Sequence, residues 1–259
     1  MKILITICGR AGSKGVKNKN IREFFGYPLI LYTISAADLF KKYHSTDEID
    51  IVVNSDSHKL LEIAKSVGIV NIIERPKELS GDYVPKISVI KHSLFYMENN
   101  HGKKYDYVID LDITSPIRRI EDIDGALSLM IENNKKYDVV FSVTHARRNP
   151  FFNMVIVEDG YARKVIDSSF TARQQAPEVF DMNASIYVYK KDALVEKLEI
   201  SPLDGKSGIY LMEDSYVLDI DNERDFIIME LLYRELFSKC KSFKVLRENI
   251  TNLLTSSPH

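Results

Sequence analysis

Met1-Lys2-Ile3-Leu4-Ile5-Thr6-Ile7-Cys8-Gly9-Arg10-Ala11-Gly12-Ser13-Lys14-Gly15-Val16-Lys17-Asn18-Lys19-Asn20 opens the chain. Lys2–Cys8 is a continuous apolar run, as expected for a strand buried on both faces of a parallel sheet. The polar stretch after it, with glycines at 9, 12 and 15, is where such a sheet places its ligand, beyond the carboxyl end of a strand. The same alternation continues along the chain. Pro28 is expected to open a helix as its first residue, with Leu29, Ile30, Thr33, Ile34, Ala37 and Phe40 at helical spacing. Ile49–Val53 reads as a strand, and Ser57–Val67 as a helix stopped by Gly68. Tyr105–Leu111 and Asp138–Val143 read as strands on either side of a helix over Glu121–Ile131. Strand–helix–strand repetition predicts a Rossmann-like, doubly wound α/β fold with a mostly parallel sheet.

The pattern breaks near residue 150. Phe151–Val157 and Tyr161–Ile166 flank Asp159-Gly160, a hairpin turn signal. A loop, 167–182, follows and carries Arg173, Gln174 and Gln175. Ala184–Tyr189 then resumes as a strand, and Asn222–Phe237 is expected to close the chain as a long helix, with Thr255–His259 frayed. The chain therefore reads as one domain over residues 1–259, with an inserted β-hairpin arm at about 147–182. The apolar run Phe151, Phe152, Met154, Val155, Ile156 on that arm suits an interface. A hairpin packed on its own domain is the alternative.

Composition excludes several classes. With 35 Lys plus Arg against 37 Asp plus Glu, the net charge is −2, so neither a nucleic-acid coat nor a polybasic membrane binder is expected. Two cysteines, Cys8 and Cys240, rule out a disulfide framework, and both are expected as reduced thiols in apolar surroundings. No stretch approaches the ~20 apolar residues of a membrane span, and no secretory signal is visible, so a cytoplasmic protein is expected.

Against this near-neutral background the first loop stands out. Arg10, Lys14, Lys17 and Lys19 bring four cations and no acid. Glycines let backbone N–H groups turn toward an anion, and the combination favours a polyphosphate. The spacing matches neither the dinucleotide fingerprint nor the P-loop. A solvated basic loop is the alternative. Two carboxylate pairs also stand out, Asp110 with Asp112 and Asp219 with Asp221. In a strand, residues two apart share a face, and two carboxylates on one face repel unless a cation sits between them. From the residues alone, either pair could hold Mg²⁺ or Mn²⁺, or be the polar end of a strand.

Several motifs in one order resemble the CMP-sialic acid synthetases, the acylneuraminate cytidylyltransferases. They are Arg10 to Asn20, read Arg-x-Gly-Ser-Lys-Gly-x-x-x-Lys-Asn; Arg75-Pro76-x-Glu78-Leu79-Ser80-x-Asp82; and Thr114-Ser115-Pro116-Ile117-Arg118. Arg173-Gln174-Gln175-x-Pro177, Asn183-Ala184-x-Ile186-Tyr187 and Asp219-Ile220-Asp221 complete the series.

The resemblance implies a nucleotidyltransferase that joins CMP from CTP to a nonulosonic acid and releases pyrophosphate. It implies phosphate contacts from Arg10 and Lys19, with Lys19 stabilising the α-phosphate and Ser13 and Asn20 shaping the loop. Arg75, Gly81 and Asp82 would meet the nucleotide; for Arg75 a surface ion pair with Glu74 or Glu78 is the alternative. Asp112, Arg173, Gln174, Asn183 and Tyr187 would face the sugar, and Asp219 and Asp221 would hold Mg²⁺ or Mn²⁺. The resemblance further implies a homodimer in which the arm crosses to the other subunit, with Arg147, Arg148 and Arg173 meeting the sugar carboxylate.

Two departures are visible. Asp112 stands where many members have Gln, and Arg147–Asn153 lacks a lysine that some carry. Both features look more like the branch that activates legionaminic acid. N-acetylneuraminic acid, another sugar nucleotidyltransfer such as ketodeoxyoctulosonate activation, and a non-catalytic nucleotide-binding subunit are the competing readings.

Overall fold

The first strand sets the architecture by alternation. Ile3, Ile5 and Ile7 point into one apolar cluster and Leu4 into another, so the strand is covered on both faces. The computed structural model describes residues 1–12, 15–216 and 218–256. After β1 (Lys2–Gly9) comes a short ribbon, β2 (Glu23–Phe24) and β3 (Tyr27–Pro28), then α1 (Ile30–Tyr43), β4 (Glu48–Ser55), α2 (His58–Ser66) and β5 (Asn71–Glu74). The chain continues with α3 (Lys86–His101), β6 (Tyr107–Leu111), α4 (Ile120–Glu132) and β7 (Val139–His145). The arm is β8 (Val155–Glu158) and β9 (Tyr161–Lys164), followed by β10 (Phe180–Lys190), α5 (Lys191–Glu196), β11 (Ser207–Leu211), α6 (Glu223–Lys239) and α7 (Lys241–Ser256).

Seven strands form one sheet in the order β11-β7-β10-β6-β1-β4-β5. β10 runs antiparallel to both β6 and β7, and the other pairings are parallel. The expected doubly wound, mostly parallel α/β sheet is the one observed. Residues of α1, α2, α4, α6 and α7 cover one face, and those of α3 and α5 the other. The carboxyl ends of β1, β4, β5 and β6 therefore open onto one edge, where the loops after them meet.

Some local expectations are corrected. Pro28 does not open α1: it pairs with Glu23 in the β2–β3 ribbon, and the helix starts at Ile30. The helix over residues 223–239 does not close the chain, because α7 follows and buries Phe243, Leu246 and Ile250. Helix α3 is an addition to the expected elements, with Ile87, Ile90, Leu94 and Met97 as its buried stripe. Residues 218–221 form no strand; they are an irregular segment leading to the Asn222 cap of α6.

The arm is a hairpin as expected. Asp159 and Gly160 both have positive φ, 52° and 80°, which is what a two-residue turn of this hand requires. Every residue of β8 is exposed, so the hairpin is not packed on its own domain.

One buried arginine fixes the loop after β6. Arg118 is 1% exposed. It donates to the carbonyls of Ser185 and Ser115, each at 2.8 Å, to that of Asp112, and to the Thr33 hydroxyl. Burial pulls its guanidinium down to about 10, opposed by Asp112 and Asp110. Arg118→Ala strands these acceptors and removes a countercharge, and is expected to lower the unfolding free energy by about 3 kcal/mol or more. The urea midpoint followed by circular dichroism checks this; a midpoint equal to wild type would show that the loop does not need its staple.

Candidate active site

At the carboxyl edge of the sheet lies a pocket of about 260 Å³. Arg10, Lys19, Asn20, Arg75, Gly81 and Asp82 line it, together with Asp112. All the described residues that the sequence assigned to the nucleotide thus share one cavity; Ser13, also assigned, lies outside the described residues.

The first loop reaches the pocket by packing against the far end of the chain. A Cβ built on Gly15 would sit 1.6 Å from the Asp221 carbonyl oxygen, so only glycine allows this approach. Lys19 Nζ donates to the Ile220 carbonyl and stands 4.0 Å from the Asp221 carboxylate. Asn20 donates to the Arg10 carbonyl at 3.1 Å, which orients the loop. Arg10 pairs with Asp82 across the pocket, both partly exposed. Such an exposed pair is weak, so an arriving anion can take Asp82's place.

Arg75 is not the surface ion-pair partner that Glu74 or Glu78 could have made it. It is 8% exposed, and donates through Nε to Asn54 Oδ1 at 2.9 Å and through Nη2 to the Asn54 carbonyl at 2.8 Å. Cys8 packs against the apolar cluster under α3, as expected, and also lines this pocket; burial, then the nearby Asp110, push its thiol up to about 12, against Arg75 and Lys86. It is a neutral wall, not a nucleophile.

The cation expected between a pair of carboxylates is present at the first pair, and it belongs to the chain. Lys86 Nζ lies 2.7 Å from Asp110 Oδ2 and 2.5 Å from Asp112 Oδ2. Asp112 also accepts from the Thr114 N–H and hydroxyl, at 2.9 and 2.8 Å. Although burial pushes the Asp112 carboxyl up, Lys86 and Thr114 outweigh it and bring it to about 2. Sequence reading missed Lys86. Its available signal was a lysine at the start of an unread helix, next to the Arg75–Asp82 motif.

The sugar-side candidates divide. Tyr187 stands beside Lys86, whose Nζ is 5.8 Å from the ring centroid, and burial pushes the phenol up to about 12. Asn183 is 1% exposed, and its amide is committed internally. Its Oδ1 accepts from Ser142 at 2.6 Å, and its Nδ2 donates to Met212 Sδ and the Tyr216 carbonyl. It pins the irregular stretch of β10 where Ala184 adopts φ 52°. Arg173 lines a different pocket with His145 and Asn149, and donates to the Ala146 carbonyl; Gln174 is exposed.

Asp219 and Asp221 sit beside the first pocket without sharing a strand face. Asp219 is half-buried, and its Oδ1 accepts from the Ile220 N–H at 2.8 Å. Burial, then Asp112, push its carboxyl above the ordinary 3.8, partly offset by Thr114 and Lys19, with Asp221 adding to the rise. Asp221 is 81% exposed.

A family model described as cytidylyltransferase matches residues 4–243. The chain is 37% identical over 242 residues to the post-translational flagellin modification protein B of Campylobacter coli, covering 93% of this chain and 99% of that one. It is 36% identical over 231 residues to the CMP-N,N'-diacetyllegionaminic acid synthase of Campylobacter jejuni subsp. jejuni serotype O:2, covering 89% and 94%. Among solved structures, a CMP:2-keto-3-deoxy-manno-octonic acid synthetase complexed with CTP superposes with a TM-score of 0.64 at 16% identity, over 91% of this chain and 99% of that one. That likeness speaks for the fold alone. Among the described residues, no helix is long and apolar enough to cross a membrane.

Asp219 yields a signed prediction. Its folded-state pKa is raised, so the folded protein holds the proton more tightly and stability falls as pH rises through that pKa. Asp219→Asn removes the penalty and keeps an acceptor for the Ile220 N–H. The ligand-free variant is expected to melt above wild type at pH 7, with the difference vanishing below about pH 4, near the ordinary carboxyl value. Differential scanning calorimetry at the two pH values checks it, and a variant that melts lower at pH 7 would contradict the assigned strain.

Proposed function

Because the chain belongs to the cytidylyltransferase family, a class of nucleotidyltransferases, we propose that it joins CMP from CTP to a nonulosonic acid. The sugar's anomeric hydroxyl oxygen bonds to the α-phosphorus, the bond from the α-phosphorus to the bridging α–β oxygen breaks, pyrophosphate leaves with that oxygen, and the hydroxyl proton passes to solvent. The observation that carries this reading is the convergence of Arg10, Lys19 and Arg75 on one pocket at the carboxyl edge of the sheet. Phosphoryl transfer needs cations and positioning more than covalent chemistry. Lys19, held by the Ile220 carbonyl, is our choice for the α-phosphate, and Arg10, released from Asp82, for the leaving phosphates. Arg75, braced by Asn54, and Gly81 would hold the nucleoside end.

The donor set fits a magnesium ion. Burial first, then the nearby Asp112 and Asp221 carboxylates, raise Asp219's carboxyl, and a hard cation beside it would relieve both. No group of three or more His, Cys, Asp or Glu side chains among the described residues could hold a metal by itself. Mg²⁺ characteristically takes one or two carboxylates together with substrate phosphates. Asp219 and Asp221 would hold it, with Mn²⁺ as a substitute. When bound, it would neutralise charge on the phosphates.

For the sugar we propose N,N'-diacetyllegionaminic acid, the substrate class named for the C. jejuni relative. Phe151 and Phe152, half-buried at the arm's base, and the exposed Met154 would suit a deoxy, methyl-bearing sugar end. We also propose a homodimer formed through the arm. Val157 is 72% and Tyr161 76% exposed there, in a hairpin of a kind that is marginal when it stands alone.

Pyrophosphate release from CTP tests the reaction. The legionaminic sugar is expected to exceed N-acetylneuraminic acid in kcat/KM by about 10–100-fold, the scale of hydroxyls set against an apolar wall. Excess chelator is expected to stop turnover. Equal or higher kcat/KM for N-acetylneuraminic acid would overturn the sugar assignment, and full activity in chelator would remove the metal.

Sedimentation tests the assembly. Wild type is expected to run as a dimer at assay concentration, and Val157→Lys combined with Tyr161→Lys as a monomer with reduced turnover. A fully active wild-type monomer would exclude the dimer.

A further inference from the structure

Within the proposed reaction, the pocket has a feature that the resemblance does not assign. We propose that Lys86 Nζ is the donor presented to an oxygen of the acid sugar, and that Asp110 and Asp112 are positioning residues that hold it there. The inference rests on the sugar-transfer reading above and deepens it.

The geometry makes the lysine the accessible member of the trio. Asp110 is fully buried; one carboxylate oxygen accepts from the Thr6 hydroxyl at 2.7 Å and the other faces Lys86 at 2.7 Å. Asp112 is engaged likewise, with Thr114 on Oδ1 and Lys86 on Oδ2. Both Asp112 oxygens are thus hydrogen-bonded by the protein, while Asp110 Oδ2 has the Lys86 charge beside it and no hydrogen bond. An ammonium has three N–H donors. One of them is donated to Asp112, Asp110 is met as an ion pair at 2.7 Å, and Nζ donates no other hydrogen bond among the described residues. The Lys86 side chain is 35% exposed, against 19% for Asp112 and none for Asp110, and it lines the pocket. At this point of the wall the pocket therefore offers an N–H where the sequence suggested a carboxylate.

The charge arrangement selects the sugar over the polyphosphate. Lys86's charge is already matched by two carboxylates, so the trio adds no net positive field for a triphosphate. A directed hydrogen bond to a hydroxyl or carboxylate oxygen is what remains. Burial pulls the ammonium's pKa down, but Asp110 and Asp112 more than offset it, so it stays charged. Tyr187, which the resemblance assigns to the sugar, stands beside it, and so does Asp112, assigned likewise.

Lys86→Met alone would strand the buried Asp110 carboxylate, so it is combined with Asp110→Asn, which removes one charge of each sign. The double variant is expected to melt within a few degrees of wild type and to bind CTP unchanged by calorimetry. Its KM for the sugar should rise about 10–100-fold, the scale of losing a charged hydrogen bond. A wild-type sugar KM, or weaker CTP binding with an unchanged sugar KM, would overturn the proposal. Lys86→Arg is the second variant, should the double fail to fold. It keeps the ion pairs and moves the donor, so sugar KM should rise while the melting temperature holds; full rescue by arginine would reduce Lys86 to a structural cation. If wild type releases no pyrophosphate with any nonulosonic acid, the reaction reading fails, and sugar affinity by calorimetry then decides the role of Lys86.

Discussion

A carboxylate buried in the middle of the sheet constrains what surrounds it. Asp110 pairs in register with Thr6 on β1 and Tyr187 on β10, and has no access to water. A charge in that position must be hydrogen-bonded and paired. Its face of the sheet is the one α3 covers, since Val108, two residues before it, packs with the α3 side chains. The first residue of α3 is Lys86, and its ammonium answers the charge. Asp112 shares the same lysine, and Arg118 folds back beneath it to hold the Asp112, Ser115 and Ser185 carbonyls. A single buried acid thus ties together the start of a helix, the end of a strand and the loop that follows.

The phosphate side is built on the opposite principle. Of the described residues of its glycine loop, half are exposed, and the loop meets a segment some two hundred residues later. Gly15 lies on the Asp221 carbonyl, and Lys19 bonds to the Ile220 carbonyl. That segment is in turn tied to the loop after β6, since the Ile220 N–H donates to the Thr114 carbonyl at 3.3 Å. Lys19, like Arg75 braced by Asn54, is therefore fixed before any ligand arrives, which lowers the reorganisation that a charged transition state would demand. Arg10 is the exception: it begins in an exposed pair with Asp82 and must exchange one anion for another.

The parallel core was legible because its strands carry apolar runs and its helices an apolar stripe. The nucleotide residues were legible because they come in ordered local motifs. What was not legible depended on partners far away in sequence. Val217–Asp221 alternates like a strand, yet β11 already pairs with β7 at that end of the sheet and residues 218–221 join no ladder. Pro28 suits the first turn of a helix, yet the chain uses it in a two-residue ribbon. Asn183 sits in a sugar-side motif, yet its amide is consumed in holding a left-handed Ala184. Lys86 was invisible for the same reason, because nothing local says that its ammonium will meet a carboxylate two dozen residues on.

The separation of Lys86 from Arg173 bears on the proposed assembly. Within one chain they line different cavities, Lys86 that of the nucleotide residues and Arg173 one beside His145. A sugar bearing a carboxylate and several hydroxyls needs donors on more than one side. The arm is meanwhile exposed, with β8 open along its whole length. Burying that hairpin against a second copy would cover apolar surface and carry the arginine-bearing loop with it. If that loop reached the partner's pocket, apolar contact in the arm and polar contact at the sugar would be one event, and dimer strength and sugar affinity would be thermodynamically linked.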